Sequence, residues 1–288
     1  MLVSRTRRTR ERRSVGATAA KPCSLQLSLA RTFEILCWTV FAVHGRPVSA
    51  VLPDEIQVYT DDITPPRELG VELHVNTTLS GRSEPLYPGE VTPWHALRVT
   101  PEINYGVTPS VDVGAYLPFT RTADGALDFA GPRFRVKWIP VRPDDDALGG
   151  SFLGANLELS FVQKRFELAN TALEVRPIAG YRNERWLLAV NPVLDWALSG
   201  PESGHPPSFN PAVKVARAAA TGVAVGFEYY AELGPLNHLG LNSKAPQTLF
   251  AVIDVDRPPW VLNFGIGRGL NEATDRWTVK AIFDVPFF

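Results

Sequence analysis

Cysteine is almost missing from these 288 residues: there are two, Cys23 and Cys37, and both fall in the first fifty positions. The rest of the chain therefore has no disulfide framework, no thiolate metal site and no cysteine nucleophile. Long apolar runs are missing too. The most coherent stretch, Ile35 to Val43 (ILCWTVFAV), is too short to cross a bilayer as a helix, which takes about 20 apolar residues. Excess basic charge is absent after residue 50. The first fifty positions hold nine of the 29 Lys+Arg and two of the 30 Asp+Glu, leaving 20 basic against 28 acidic residues, which excludes nucleic acid as a partner. Helical periodicity is absent from Arg67 onward.

What is present begins with a basic stretch, Arg5, Arg7, Arg8, Arg10, Arg12 and Arg13 against the single Glu11. The apolar run follows, then Val48-Ser49-Ala50 with small residues at alternate positions. Charge, apolar core and cleavage site stand in the order of an export signal, so residues 1–50 are expected to be removed after Ala50. Neither cysteine sits in a lipobox.

From Arg67 the pattern is period two. Val223, Val225, Phe227, Tyr229, Ala231 and Leu233 share one strand face, while Ala224, Gly226, Glu228, Tyr230 and Glu232 share the other. The same alternation predicts strands over about 67–78, 94–106, 109–119, 129–140, 151–164, 171–182, 185–198, 209–219, 221–233, 247–256, 259–269 and 276–288. That makes twelve. Their length exceeds the roughly 5–6 residues typical of soluble sheets and suits the ~9–11 tilted residues that cross a membrane. Long connections, such as Leu79–Pro93, Ser199–Ser208 and Gly234–Pro246, alternate with tight ones at Val107–Thr108, Asn183–Glu184, Ala220 and Arg257–Pro258. The expected fold is thus all-β: one antiparallel transmembrane barrel of about twelve strands with both termini periplasmic, lipid of the outer membrane as its surroundings, and oligomeric state open. Val141–Gly150, with Asp144-Asp145-Asp146, is long for an inner turn in this scheme. Residues 51–66 form a short periplasmic lead segment, too small for a plug domain, that either lies in the lumen or hangs in the periplasm.

Six tryptophans follow the signal, all near strand ends. Trp94, Trp196 and Trp277 fall at expected extracellular ends, and Trp138, Trp186 and Trp260 at periplasmic ends, where an indole finds both apolar and polar surroundings.

The acidic start Asp54-Glu55-Ile56-Gln57-Val58-Tyr59, the repeated strands and the aromatic end Asp284-Val285-Pro286-Phe287-Phe288 resemble bacterial outer-membrane barrels over residues 54–288. In particular the chain resembles the poorly characterised channel family associated with aromatic-degradation pathways. That resemblance implies a terminal aromatic read by the barrel-insertion machinery as partner. Stepping back in twos from Phe287 gives Val285, Phe283, Ala281, Val279 and Trp277, whereas Phe288 leads to Pro286, Asp284, Ile282 and Lys280. Phe287 completes the apolar row, and Phe288 stands one beyond it.

With the apolar faces toward lipid, the lumen is expected to be lined by Arg98, Arg133, Arg135, Lys137, Arg176, Lys214, Arg268 and Lys280, together with Glu72, Glu102, Asp112, Glu158, Glu174, Asp195, Glu228, Glu232, Asp254 and Asp284. Two readings follow from this mixed lining. It is a selectivity surface of a passive channel for small polar or anionic solutes, centred on Arg133, Arg135 and Lys137, or it is a ladder of structural salt bridges closing a non-transporting barrel.

Other chemistry is weakly signalled. Gly265-Ile266-Gly267-Arg268-Gly269 is no dinucleotide fingerprint, since Leu270 follows and no helix does; inward strand glycines that leave room for a large neighbour explain it better. Asp144-Asp145-Asp146 lacks calcium-loop spacing. His74, His95, His205 and His238 show no metal-ligand spacing, so no metal or cofactor is expected. A lipid hydrolase would need a serine beside a rim histidine such as His95, and no serine or G-x-S-x-G supplies it, so the chain is not expected to be an enzyme.

Overall fold

The computed structural model describes residues 55–144, 148–240, 244–258 and 260–285, all within the unit Gly45–Phe288. The expected signal at 1–50, Asp145 and Asp146, and the expected insertion residues Phe287 and Phe288 lie outside the described residues.

Among the described residues there are fourteen β-segments: β1 (Leu69–Ser80), β2 (Leu97–Thr108), β3 (Val111–Tyr116), β4 (Phe119–Arg121), β5 (Leu127–Phe129), β6 (Arg133–Val141), β7 (Gly149–Phe161), β8 (Thr171–Asn183), β9 (Trp186–Ala197), β10 (Ser208–Ala220), β11 (Val223–Ala231), β12 (Gln247–Arg257), β13 (Trp260–Gly269) and β14 (Trp277–Val285). They build twelve staves. β3 and β4 both pair with β2, and they face β6 and β5 respectively, so each couple is one interrupted stave. The sheet is antiparallel between sequence neighbours throughout, and β1 pairs with both β2 and β14, which closes it.

The interruptions have a local cause. Pro118 and Pro132 bring no N–H to the ladder. Gly131 adopts φ 126°, and a Cβ there would collide with the Phe161 carbonyl oxygen. Period-two reading runs straight through such breaks because the side-chain alternation resumes beyond them.

Connections alternate as expected. Two-residue turns join β2 to β3, β8 to β9, β10 to β11 and β12 to β13 at one end of the barrel; the long loops 81–96, 162–170, 198–207, 232–246 and 270–276 lie at the other. The 142–148 connection between β6 and β7 belongs to the turn end and is simply its longest member, with both flanking strands in place.

The two faces of the wall are inverted relative to a soluble protein. Phe227 and Leu69 are 58% and 57% exposed, whereas Asn156 and Thr100 are fully buried and Glu102 and Glu228 are 1% exposed. An apolar exterior over a polar, paired interior requires lipid outside. Trp94 and Trp277 are exposed at the loop end, and Trp138 and Trp186 at the turn end, where indoles sit at the headgroup level. Trp196 is half-buried near the loop end. Trp260 opens β13 at the turn end, and its side chain lies outside the described residues.

Candidate lumen site

Antiparallel register decides which inward charges meet. On β6 the alternate positions Arg133, Arg135 and Lys137 all point inward and are buried. Arg133 reaches Glu158 on β7 at 3.1 Å. Arg135 turns the other way, its Nε donating to Glu102 Oε1 at 2.6 Å and its Nη1 to Asp112. Gly114, opposite Arg135, leaves the room for this. Lys137 lies over the Tyr59 ring, 5.0 Å from its centroid. The basic trio that stood out as a selectivity lining is thus neutralised or stacked.

A second network draws on four staves. Glu228 on β11 receives Lys214 Nζ at 3.1 Å and also Lys280 from β14; Lys214 further bonds Asp254 at 2.8 Å. Lys280 passes β13 and β12 to reach Glu228, and Gly265 permits it, because a Cβ there would press on the lysine stem. Gly267 does the same for the Phe250 ring. A third network joins Arg176 Nε and Nη2 to the Glu174 oxygens at 2.6 and 3.0 Å.

Glu72, Asp195 and Asp284 also occupy inward positions of their strands. Arg268 stands at the loop-end rim: its strand position shares the outward parity of Leu249 and Ile266, and its side chain lies over the exposed Trp277 ring at 5.0 Å while also bordering the vestibule.

Residues 55–64 were open to a lumenal or a periplasmic course, and they run inside the barrel. Tyr59 is the centre of the arrangement. Its N–H donates to Asn191 Oδ1 at 2.6 Å, its carbonyl accepts from Asn191 Nδ2 at 3.0 Å, and its hydroxyl meets that of Tyr116 at 2.5 Å. Arg176 covers its ring at 4.3 Å. Around it, Lys280 Nζ donates to the Ile56 carbonyl at 2.7 Å, Arg176 Nη1 to that of Gln57 at 3.2 Å, Arg182 to Asp61 at 2.7 Å, and the Thr64 N–H to Asp112 at 3.1 Å. Val58 and Tyr59 then pack with Ile139, Phe152, Ile178, Ala189 and Ala212 into a small apolar core on the turn side.

On the loop side lies a vestibule of about 1160 Å³, floored by Glu55, Ile56 and Gln57. The 81–96 loop reaches over part of it, Val91 N–H bonding the Arg165 carbonyl at 2.7 Å and Arg82 pairing with Glu90 at 2.7 Å.

Two features escaped the sequence. The lead segment carries no pattern of its own that announces its seat. His74 had no ligand spacing in sequence, yet Glu72 stands opposite Glu102 in the β1–β2 register, so one atom from each of Glu72, His74 and Glu102 falls within 4.8 Å of the others. His74 Nε2 is 3.2 Å from Glu102 Oε2, a contact that orients the ring while Arg135 holds the other oxygen.

No protein-family model matches the sequence, and no curated protein sequence matches it. Three solved structures are similar at low identity. A KdgM porin is similar at 7% identity and a TM-score of 0.47, over 76% of this chain and 99% of that one. The outer membrane phospholipase A from Escherichia coli is similar at 9% and 0.42, over 75% and 90%, and a mutant of the Rh. blastica porin at 12% and 0.29, over 75% and 99%. On its own closed wall, apolar outside and polar within, the chain is an outer-membrane β-barrel.

Proposed function

We propose that this barrel is a passive channel for small hydrophilic solutes, entered from the loop-end vestibule and throttled by residues 55–64. The carrying observation is how the obstruction is held. Residues 55–64 meet the wall through individual hydrogen bonds, ion pairs and ring contacts, outside the strand ladder, so the segment can leave without opening a stave. The resemblance to the channel family associated with aromatic-degradation pathways supports the same reading and extends the solutes to small aromatic compounds, for which Tyr230 and Phe250 line the vestibule.

A second reading, a structural barrel closed by internal salt bridges, is favoured by the Lys214–Glu228–Lys280 and Glu102–Arg135–Asp112 networks, which leave those groups paired. Planar-bilayer recording separates the two. The refolded chain 51–288 is expected to give small, intermittent conductance steps, and the same chain lacking residues 55–64 to give larger, steadier ones. Reproducible silence from both, with heat-modifiable gel migration confirming folded barrels, favours the closed barrel.

A further inference from the structure

The charges on the vestibule side are not neutralised as those on the turn side are. Glu174 and Asp195 stand directly opposite one another on β8 and β9, a like-charged cross-strand pair that a sheet does not favour. Asn210 on β10 donates to Asp195 at 2.5 Å, and continuing the β10–β11 register two residues past Ala212–Tyr230 brings Glu232 opposite Asn210. These four line the same vestibule wall, above Glu55.

The basic residues nearby are engaged or stand toward the rim. Arg176 is held by Glu174 through two hydrogen bonds, Arg133 by Glu158, Arg82 by Glu90 and Arg98 by Asn76, while Arg268 and Arg276 lie at the loop end of their strands and Lys244 is exposed in the 232–246 loop. The oxygens left over are all acceptors: Glu55 Oε1, Asn210 Oδ1 and Glu232 Oε2 are buried and receive no hydrogen bond. The Glu55 side chain is only 4% exposed, and its nearest cation, Arg176 Nη1, stays 3.7 Å away. A buried acceptor without a donor costs free energy until something supplies one. The wall therefore asks for a positively charged, donor-rich visitor.

Resting on the channel reading above, we infer that the vestibule selects small hydrated cations, with Asp195 and Glu232 as the specificity-determining residues. On this wall four carboxylates, Glu55, Glu174, Asp195 and Glu232, gather around the single guanidinium of Arg176, and such an excess of negative charge raises the local cation concentration and repels anions. This reverses the sign suggested by Arg133, Arg135 and Lys137, whose charge faces partners rather than the vestibule.

The test is the reversal potential of the refolded chain in planar bilayers under a KCl gradient at pH 9, where the Glu232 carboxyl is ionised. Potassium is expected to be preferred over chloride several-fold. The Asp195→Asn/Glu232→Gln double variant is expected to lose most of that preference while still conducting, and Glu202→Gln in the exposed 198–207 loop to keep it. Glu232→Gln alone serves where the double variant fails the heat-modifiability check, because it removes a carboxylate whose Oε2 holds no partner. Chloride preference in the parent chain, or an unchanged ratio in the variants, overturns the inference and leaves the channel standing. Absence of conductance overturns both.

Discussion

The turn-end half and the loop-end half of the lumen are built from the same residue types to opposite effect. In the turn-end half each strong base has found an acid or an aromatic ring, and Val58 and Tyr59 complete a small dry core. In the loop-end half, four carboxylates, Glu55, Glu174, Asp195 and Glu232, gather around one guanidinium, Arg176, beside an open cavity. The difference teaches that a mixed-charge lining has no function until its pairing is known. One half seals, and the other receives.

The comparison breaks most severely at Glu228. Replacing it by Gln strands the buried Lys280 ammonium and leaves Lys214 with Asp254 alone. Loss of one partner of a buried pair costs about 3–5 kcal/mol, so the expected result is a clear drop in the temperature at which the folded band disappears on semi-native gels. An unchanged transition would mean that water already reaches both lysines.

Tyr59→Ala sharpens the contrast from the other side. It removes the hydroxyl contact to Tyr116 and the ring beneath Arg176 and Lys137, while the strand ladder stays intact. Longer open times are expected in bilayers, short of the effect of deleting 55–64; identical gating would show that Tyr59 does not hold the segment.

A smaller effect is expected from pH. Glu232 lies outside the strands, and burial, with Asp275 nearby, pushes its carboxyl up to about 8. Below that value the group is protonated and neutral, and above it ionised. Asp195, Glu55, Arg176, Lys244, Asp275 and Arg276 share the vestibule lining with it. Cation preference should therefore rise between pH 7 and pH 9, and a flat profile would remove Glu232 from the selectivity wall.

The smallest effect belongs to the rim. Arg268→Ala forfeits an exposed stack on Trp277, worth about 0.5–1 kcal/mol, with potassium preference expected to be unchanged.

Much of the wall was legible in the sequence because a barrel strand has to alternate at every step: Val225, Phe227 and Tyr229 against Gly226, Glu228 and Tyr230 admit one reading. The breaks at Pro118 and Gly131–Pro132 were also written there, as residues that cannot continue a ladder, but alternation on both sides hides them. Pairing was not legible. Whether Arg135 turns to Glu158, opposite it in register, or to Glu102 two staves away depends on Gly114 and on distances that no single strand contains. Arg268 follows from parity alone, since Gly265 and Gly267 face inward and the arginine lies one step off their row.

The bond from Lys280 to the Ile56 carbonyl joins positions 224 residues apart. Lys280 arrives with β14, the strand that zips onto β1 and closes the cylinder. The segment at 55–64 must therefore be inside before the seam shuts, or be threaded in afterward through a finished ring. That single contact ties the two ends together: the beginning of the described chain is fastened by a strand near its end, so the stopper gains its full set of bonds only once β14 is in place.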